Sequence, residues 1–317
     1  MDEELRIMSM ESLAQGAGWV ETMGRHVRAH RIAAVGLGLS LAAVIALLLG
    51  SLFELAVGGA SDGLKFGFVG GLAGFAATGL GALPALAMRT MPQKLSDVLL
   101  GGAAGMMLAA SAFSLILPGL AAGEQLAGSR SLAALIVVAG MGLGVLLMLG
   151  LDEFTPHEHE TIGVQGPGSE RVGRIWLFVF AIALHNLPEG MAIGVGFSHA
   201  DMSVGLPLTT AIALQDMPEG LAVALALRGG GYSAPYAVAM AVATGLMEPL
   251  GAVLGVGLSG GLAIAYPIGL GLAAGAMLFV VSHEVIPETH RNGHQTPATI
   301  GLMAGFALMM VLDTTLG

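Results

Sequence analysis

Nine runs of apolar residues, each close to the ~20 residues that cross the hydrocarbon core of a bilayer, decide what this chain can fold into. They lie at Ile32–Val57, Phe66–Met88, Val98–Leu120, Leu132–Leu151, Ile175–Phe197, Met202–Leu227, Ala234–Leu258, Leu262–Val281 and Ala298–Leu316. Inside hydrocarbon a backbone must satisfy its own polar groups, so each run is expected to be a helix. Composition agrees: 55% of the residues are hydrophobic and 11% charged, against about 25% charged in a soluble domain. Fifty glycines suit helices that approach closely through small side chains. The expected fold class is an all-α polytopic membrane protein. With no cysteine, a disulfide framework, a Cys-ligated zinc site and a thiolate copper site are all excluded. The bilayer is the expected partner, and no basic stripe suggests nucleic acid.

Residues 1–31 are polar and read as a cytoplasmic N-terminal tail. The first apolar run starts too late and runs too long for a cleavable signal peptide. Trp19 and its apolar neighbours could also lie on the membrane surface. Lysine and arginine then set the orientation. With the N-terminus inside, Arg6, Arg25, Arg28, Arg31, Arg89, Lys94, Arg171, Arg174, Arg228 and Arg291 are cytoplasmic, and only Lys65 and Arg130 are outside. The C-terminus is then expected outside. The longest break between spans, 152–174, falls on the cytoplasmic side and carries DEFTPHEHETIGVQGPGSER; its Gly, Pro and polar content suggests a mobile loop.

Two of the runs say nearly the same thing. AIALHNLPEGMAIGVG begins at Ala181 and AIALQDMPEGLAVALA at Ala211, so His185 corresponds to Gln215, Asn186 to Asp216, Pro188 to Pro218 and Glu189 to Glu219. Residues i and i+4 share a helix face. His185 and Glu189 therefore project together, as do Gln215 and Glu219. Consecutive spans run antiparallel, which should bring His185 level with Glu219 and Glu189 level with Gln215. Imidazole, carboxylate and amide oxygen together suit a borderline divalent ion such as Zn2+. Asn186 and Asp216, about 100° round the helix, could line an adjoining site that shares both glutamates. Glu248, followed by Pro249 in the run Ala234–Leu258, is the natural further contributor. Pro188 and Pro218 free the carbonyls of Leu184 and Leu214 from their helical partners, a recurring device beside ion sites.

The mid-membrane acids are Glu189, Asp216, Glu219 and Glu248, and no Lys or Arg lies deep in any run. Such carboxylates are either protonated or hold cations drawn from solution. A protonated structural cluster and a proton pathway are the competing readings; the repeated His–Gln–Glu pattern favours metal. Lesser candidates cluster toward the cytoplasmic side: His283, Glu284, Glu288 and His290 in SHEVIPETH, His294 beyond them, and Asp152, Glu153, His157, Glu158, His159 and Glu160 in the loop. Of these, Asp152, His157, His159, His283, Glu284 and His294 are the candidate exit ligands, with solvated loop polarity as the alternative. A zinc-protease motif fails because Pro287 stands where its second histidine would be. Met107 and Met217 could line an ion route, although packing or lipid contact is the default for methionine. His26, His30 and His199 read as surface residues, and Glu54 and Asp313 as span-end residues that reach the interface.

HNLPEG at 185–190 and QDMPEG at 215–220, on consecutive spans of a small Gly-rich chain, resemble the ZIP (Zrt/Irt-like) metal transporters, in their bacterial GufA-like branch and of the Bordetella type. The resemblance covers about residues 64–317. It implies an eight-helix core over 64–317, with 32–57 as one added N-terminal transmembrane helix and 152–174 as a metal-binding type of cytoplasmic loop. It implies import of Zn2+ and related ions (Cd2+, with Fe2+ and Mn2+ as further candidates) across a bacterial inner membrane. A bridged two-metal site, a homodimer and an elevator-type movement are implied as well, with the metal as substrate and no cofactor. Carried over, the first site is His185, Glu189, Gln215 and Glu219; the second is Asn186, Glu189, Asp216, Glu219 and Glu248. Gln215 departs from the pattern, since many members have histidine there, and a neutral amide is a weaker ligand. An intramembrane metal-dependent hydrolase and a proton-coupled carrier of an organic solute are the rival functions. The first would need an activated water at an open coordination position, and no nucleophile or oxyanion motif accompanies the repeat.

Overall fold

The structure, a computed structural model, describes residues 58–154, 157–159, 163–165, 174–259 and 262–316, with scattered positions between 24 and 57; at 152–154, 157–159, 163–165 and 174 it describes backbone alone. Among the described residues, eight helices are long and apolar enough to cross a membrane. They are α1 Asp62–Leu86, α2 Gln93–Ala127, α3 Arg130–Leu151, α4 Ile175–Phe197, α5 Met202–Gly229, α6 Ala234–Ser259, α7 Ala265–His290 and α8 Gln295–Leu316. The all-α polytopic reading holds for these eight. The added helix expected at 32–57 and the tail at 1–31 lie mostly outside the described residues. In the loop the backbone forms a small hairpin, β1 His157–His159 against β2 Gly163–Gln165, antiparallel with His157 opposite Gln165.

Three spans depart from the runs read off hydropathy. Helix α2 begins at Gln93, five residues before Val98, because the buried Asp97 has partners that let it sit inside the helix. Helix α6 is not continuous: Ala234–Gly245 and Met247–Ser259 meet at Leu246, next to Glu248 and the amide-less Pro249. Helix α7 does not end at Val281 but passes through a π-helical turn, Val281–Val285, into Ile286–His290. A matching π-helical turn, Ser111–Ile116, interrupts α2. Each precedes a proline by two residues, Pro118 and Pro287, and such bulges recur at functional sites.

Close packing sorts the helices into two groups of four. In the first, Gly190 and Gly194 of α4 lie against the backbone of Glu248 and Ala252 of α6, and Gly251 and Gly255 of α6 against Leu187 and Met191 of α4. Likewise Gly81 of α1 meets the backbone of Met217 on α5, and Gly220 of α5 meets that of Thr78 on α1. The second group repeats the arrangement. Gly101 and Gly105 of α2 meet Ala298 and Leu302 of α8, and Gly301 and Gly305 return onto Val98 and Gly102. Gly140 and Gly144 of α3 meet Ile268 and Leu272 of α7, with Gly271 and Gly275 returning onto Val137 and Met141. A side chain at any of these positions would strike main chain, which cannot yield. Between the groups lies one buried apolar cluster that takes Met107, Leu115 and Met277 from the second and Ile193, Leu208 and Ile212 from the first.

Candidate metal centre

The two motif copies face each other across α4 and α5 at the heart of the first group. The Gln215 amide donates to Glu189 Oε1, so these residues lie level, as antiparallel crossing requires. His185 and Glu219 line the same cavity. Glu189, Asp216 and Glu219 each place a carboxylate oxygen within 4.8 Å of the others. Glu248 enters from α6, where the break at Leu246 presents it in the first turn of Met247–Ser259. Its Oε1 accepts a 2.8 Å hydrogen bond from Thr78 Oγ1 of α1.

The seven residues His185, Asn186, Glu189, Gln215, Asp216, Glu219 and Glu248 are all at most 3% exposed. Their buried side chains carry nine polar atoms without a hydrogen-bond partner: Nδ1 of His185, Nδ2 of Asn186, Oε2 of Glu189, Oε1 of Gln215, both carboxylate oxygens of Asp216 and Glu219, and Oε2 of Glu248. Among the described residues only one other such atom exists, Nε of Arg228. Leaving a buried polar atom unpaired costs about 1–3 kcal/mol, and more for a charged group. Among the described residues no Lys or Arg donates to any of the four carboxylates, so in their ionised forms no cationic side chain offsets their mutual repulsion. A divalent cation coordinated by these oxygens and the imidazole would offset both costs together.

His185 is held by a second neighbour. Its Nε2 lies 2.8 Å from Glu284 Oε2, which reaches it from the π-helical turn of α7. A cavity of about 110 Å3 continues from His185 and Glu219 past Leu177 and Ile182 to His283, Glu284, Glu288 and Arg291. Glu284, grouped by sequence with the exit residues, is therefore joined to the central site. His283 packs on the ring of Phe279, centroids 4.9 Å apart. His294 goes elsewhere: its Nδ1 lies 2.8 Å from Oδ2 of Asp97, whose Oδ1 accepts from Gln93 and Asn292. Glu288 pairs with Arg291, and His290 Nδ1 lies 2.8 Å from the carbonyl of Ile286. The side chains of Asp152, Glu153, His157, Glu158, His159 and Glu160 lie outside the described residues, as do His26 and His30.

Met107 is buried and Met217 is 39% exposed, and neither lines the cavity beside His185. His199 packs edge-on against Tyr266. Asp313, half-buried near the end of α8, accepts a 2.7 Å hydrogen bond from Ser114 in the π-helical turn of α2. Among the buried polar residues that escaped sequence reasoning are Thr78 and Asp97. Thr78 left no signal in an apolar run, and Asp97 looked like the polar end of one.

Comparison with known proteins bears on the whole arrangement. Residues 152–313, about half of the chain, match the family described as ZIP Zinc transporter. The chain is 62% identical over 290 residues to the zinc transporter ZIPB of Bordetella bronchiseptica, covering 92% of this chain and 94% of that protein. It is 43% identical over 251 residues to the zinc transporter GufA of Myxococcus xanthus, covering 79% of this chain and 99% of that protein. A shorter stretch of 139 residues is 37% identical to the zinc transporter ZupT of Corynebacterium glutamicum, 39% of this chain and 51% of that one. These relatives are transporters rather than enzymes, which removes the hydrolase reading. The resemblance carried by HNLPEG and QDMPEG thus extends over nearly the whole length, and the chain belongs to the ZIP family of zinc transporters.

Proposed function

We propose that this chain moves Zn2+ and related divalent cations, Cd2+ among them and Fe2+ and Mn2+ as further candidates, into the cytoplasm through a binuclear site at mid-membrane. The observation that carries the reading is the set of nine unpaired, buried polar atoms on seven side chains. His185, Glu189, Gln215 and Glu219 form the first position; Asn186, Glu189, Asp216, Glu219 and Glu248 form the second. The cavity beside His185 leads toward Arg291, and Arg291, Arg228, Arg89 and Lys94 share the positively charged side that the inside rule assigns to the cytoplasm. On that rule the N-terminus is inside and the cavity belongs to an inward-facing state, with Glu284 drawing His185 off the ion on the way out. Elevator-type movement fits the packing. The seven site residues and Thr78 sit in one glycine-seamed group, and a buried cluster of side chains lies between it and the other group.

The test is influx into liposomes that hold a zinc- and cadmium-sensitive dye. Wild type should import saturably, and both His185→Ala and Glu219→Ala should lose most of that influx while keeping a folded elution profile. Ligands bind metal in their deprotonated forms, so import should weaken as the outer pH falls from neutral to about pH 4. A folded wild type that imports none of several divalent ions would overturn the proposal, as would a rate indifferent to acid.

A further inference from the structure

Helix α1 contributes no ligand to either metal position, yet it touches the site at two points. Gly74 is, among the described glycines, the one whose Cβ would meet a carboxylate: Glu248 Oε2 would lie within bonding contact of it, and Asp216 Oδ2 3.2 Å away. Gly81, on the same helix, answers to main chain instead. One turn on from Gly74, Thr78 is 1% exposed. Its hydroxyl has two acceptors, Glu248 Oε1 at 2.8 Å and the carbonyl of Gly74 at 3.3 Å, and the carboxylate is the nearer. The Thr78 side chain and backbone are wedged between Gly245, just before the break in α6, and Gly220 of α5. Glu248 itself is fully buried, and its Oε2 has no partner.

We propose that Gly74 and Thr78 are positioning residues that hold Glu248 to one-oxygen coordination, and thereby make the second metal position selective against ions that need many oxygens. This rests on the binuclear reading. The Thr78 hydrogen bond turns Oε1 toward α1 and fixes the carboxylate plane, Gly74 makes room for Oε2 beside Asp216, and a carboxylate held at that angle presents Oε2 rather than both oxygens to an ion. Zn2+ is satisfied by about four ligands. Ca2+ takes about 6–8 oxygens and commonly draws two from one carboxylate. A second position assembled from Asn186, Asp216, Glu189 and Glu219 is otherwise rich enough in oxygen to attract Ca2+, so the constraint on Glu248 is where discrimination is set.

The test is calorimetric titration of the full chain in detergent, stripped of metal, with Zn2+ and with Ca2+ as competitor. Wild type should bind two Zn2+ with little interference from Ca2+. Thr78→Val keeps the shape, frees Oε1 and should let Ca2+ compete about tenfold better, a 1.4 kcal/mol change; Thr78→Ser should restore the wild-type ratio. Gly74→Ala should lower the stoichiometry from two Zn2+ to one, with the remaining affinity close to that of wild type. A Thr78→Val protein that melts cooperatively and keeps the wild-type Zn2+/Ca2+ ratio overturns the inference, and Thr78→Ala serves if valine does not pack. Should Gly74→Ala not fold, the Thr78 variants decide. A wild type that binds fewer than two Zn2+ overturns the binuclear reading itself, and this inference with it.

Discussion

At the scale of the residue, this protein keeps four carboxylates where hydrocarbon on every side makes an unpaired charge expensive. Glu219 bears that cost most plainly. Both its oxygens are unpartnered, so on the metal-site proposal the side chain opposes the fold of the metal-free protein and supports that of the loaded one. Glu219→Gln should therefore melt at or above the wild-type temperature in excess chelator. In saturating Zn2+ it should lose most of the metal-induced rise, which for wild type is worth about 2.7 kcal/mol at a hundred times the dissociation constant. Thermal melts with and without chelator check both halves; a variant that destabilises the stripped protein by several degrees would show that the carboxylate is structural. The seven clustered side chains were legible in the sequence because a repeated motif with acids and no cations can be seen without coordinates. Thr78 was not, since a threonine in an apolar run looks the same whether it bonds its own helix or a neighbour's glutamate. The pairing of Glu284 with His185 was hidden for another reason: Glu284 lies within the π-helical turn Val281–Val285, whose wider winding re-aims its side chain, and a count in steps of 3.6 does not register that.

At the scale of the element, the glycines do two jobs that composition cannot separate. Helix α3 carries both within three residues. Gly140 lies against the backbone of Ile268 on α7, whereas nothing lies within 4 Å of the Cβ position of Gly142. Gly140→Val should push α3 off α7 and destabilise by about 1–3 kcal/mol or more, the range for overpacked sites; Gly142→Val should be close to neutral. Melting temperatures of the purified variants compare them directly, and equal losses would mean that the seam is not tight. Eight spans could be read from hydropathy, because length and apolarity are what a bilayer selects. Which glycine faces a partner could not, and so the division into two groups was invisible. Nor was the start of α2 legible: Asp97 looks like a boundary until its partners Gln93, Asn292 and His294 are seen to surround it.

At the scale of the whole molecule, the two groups should move against each other if the site is to face both sides in turn. The glycine seams resist motion within each group, and the side-chain surface between them offers the softer plane. One contact crosses that plane at the end opposite Arg291. His199, in the turn between α4 and α5, packs its ring against Tyr266 in the first turn of α7, with centroids 4.2 Å apart. The chain contains no cysteine, so an introduced pair is the only thiol chemistry present. In His199→Cys/Tyr266→Cys a short thiol-to-thiol crosslinker should hold this end shut and stop zinc influx, with recovery when a reducible linker is cleaved. The control stays inside one group: Trp176 and Tyr232 have ring centroids 6.0 Å apart, joined by a 2.8 Å hydrogen bond, and their cysteine pair should transport whether linked or not. Full influx through a completely crosslinked 199–266 pair would mean that the groups do not separate there. The ion would then have to pass a static framework, and Glu284 would hold His185 in every state rather than only in the inward one.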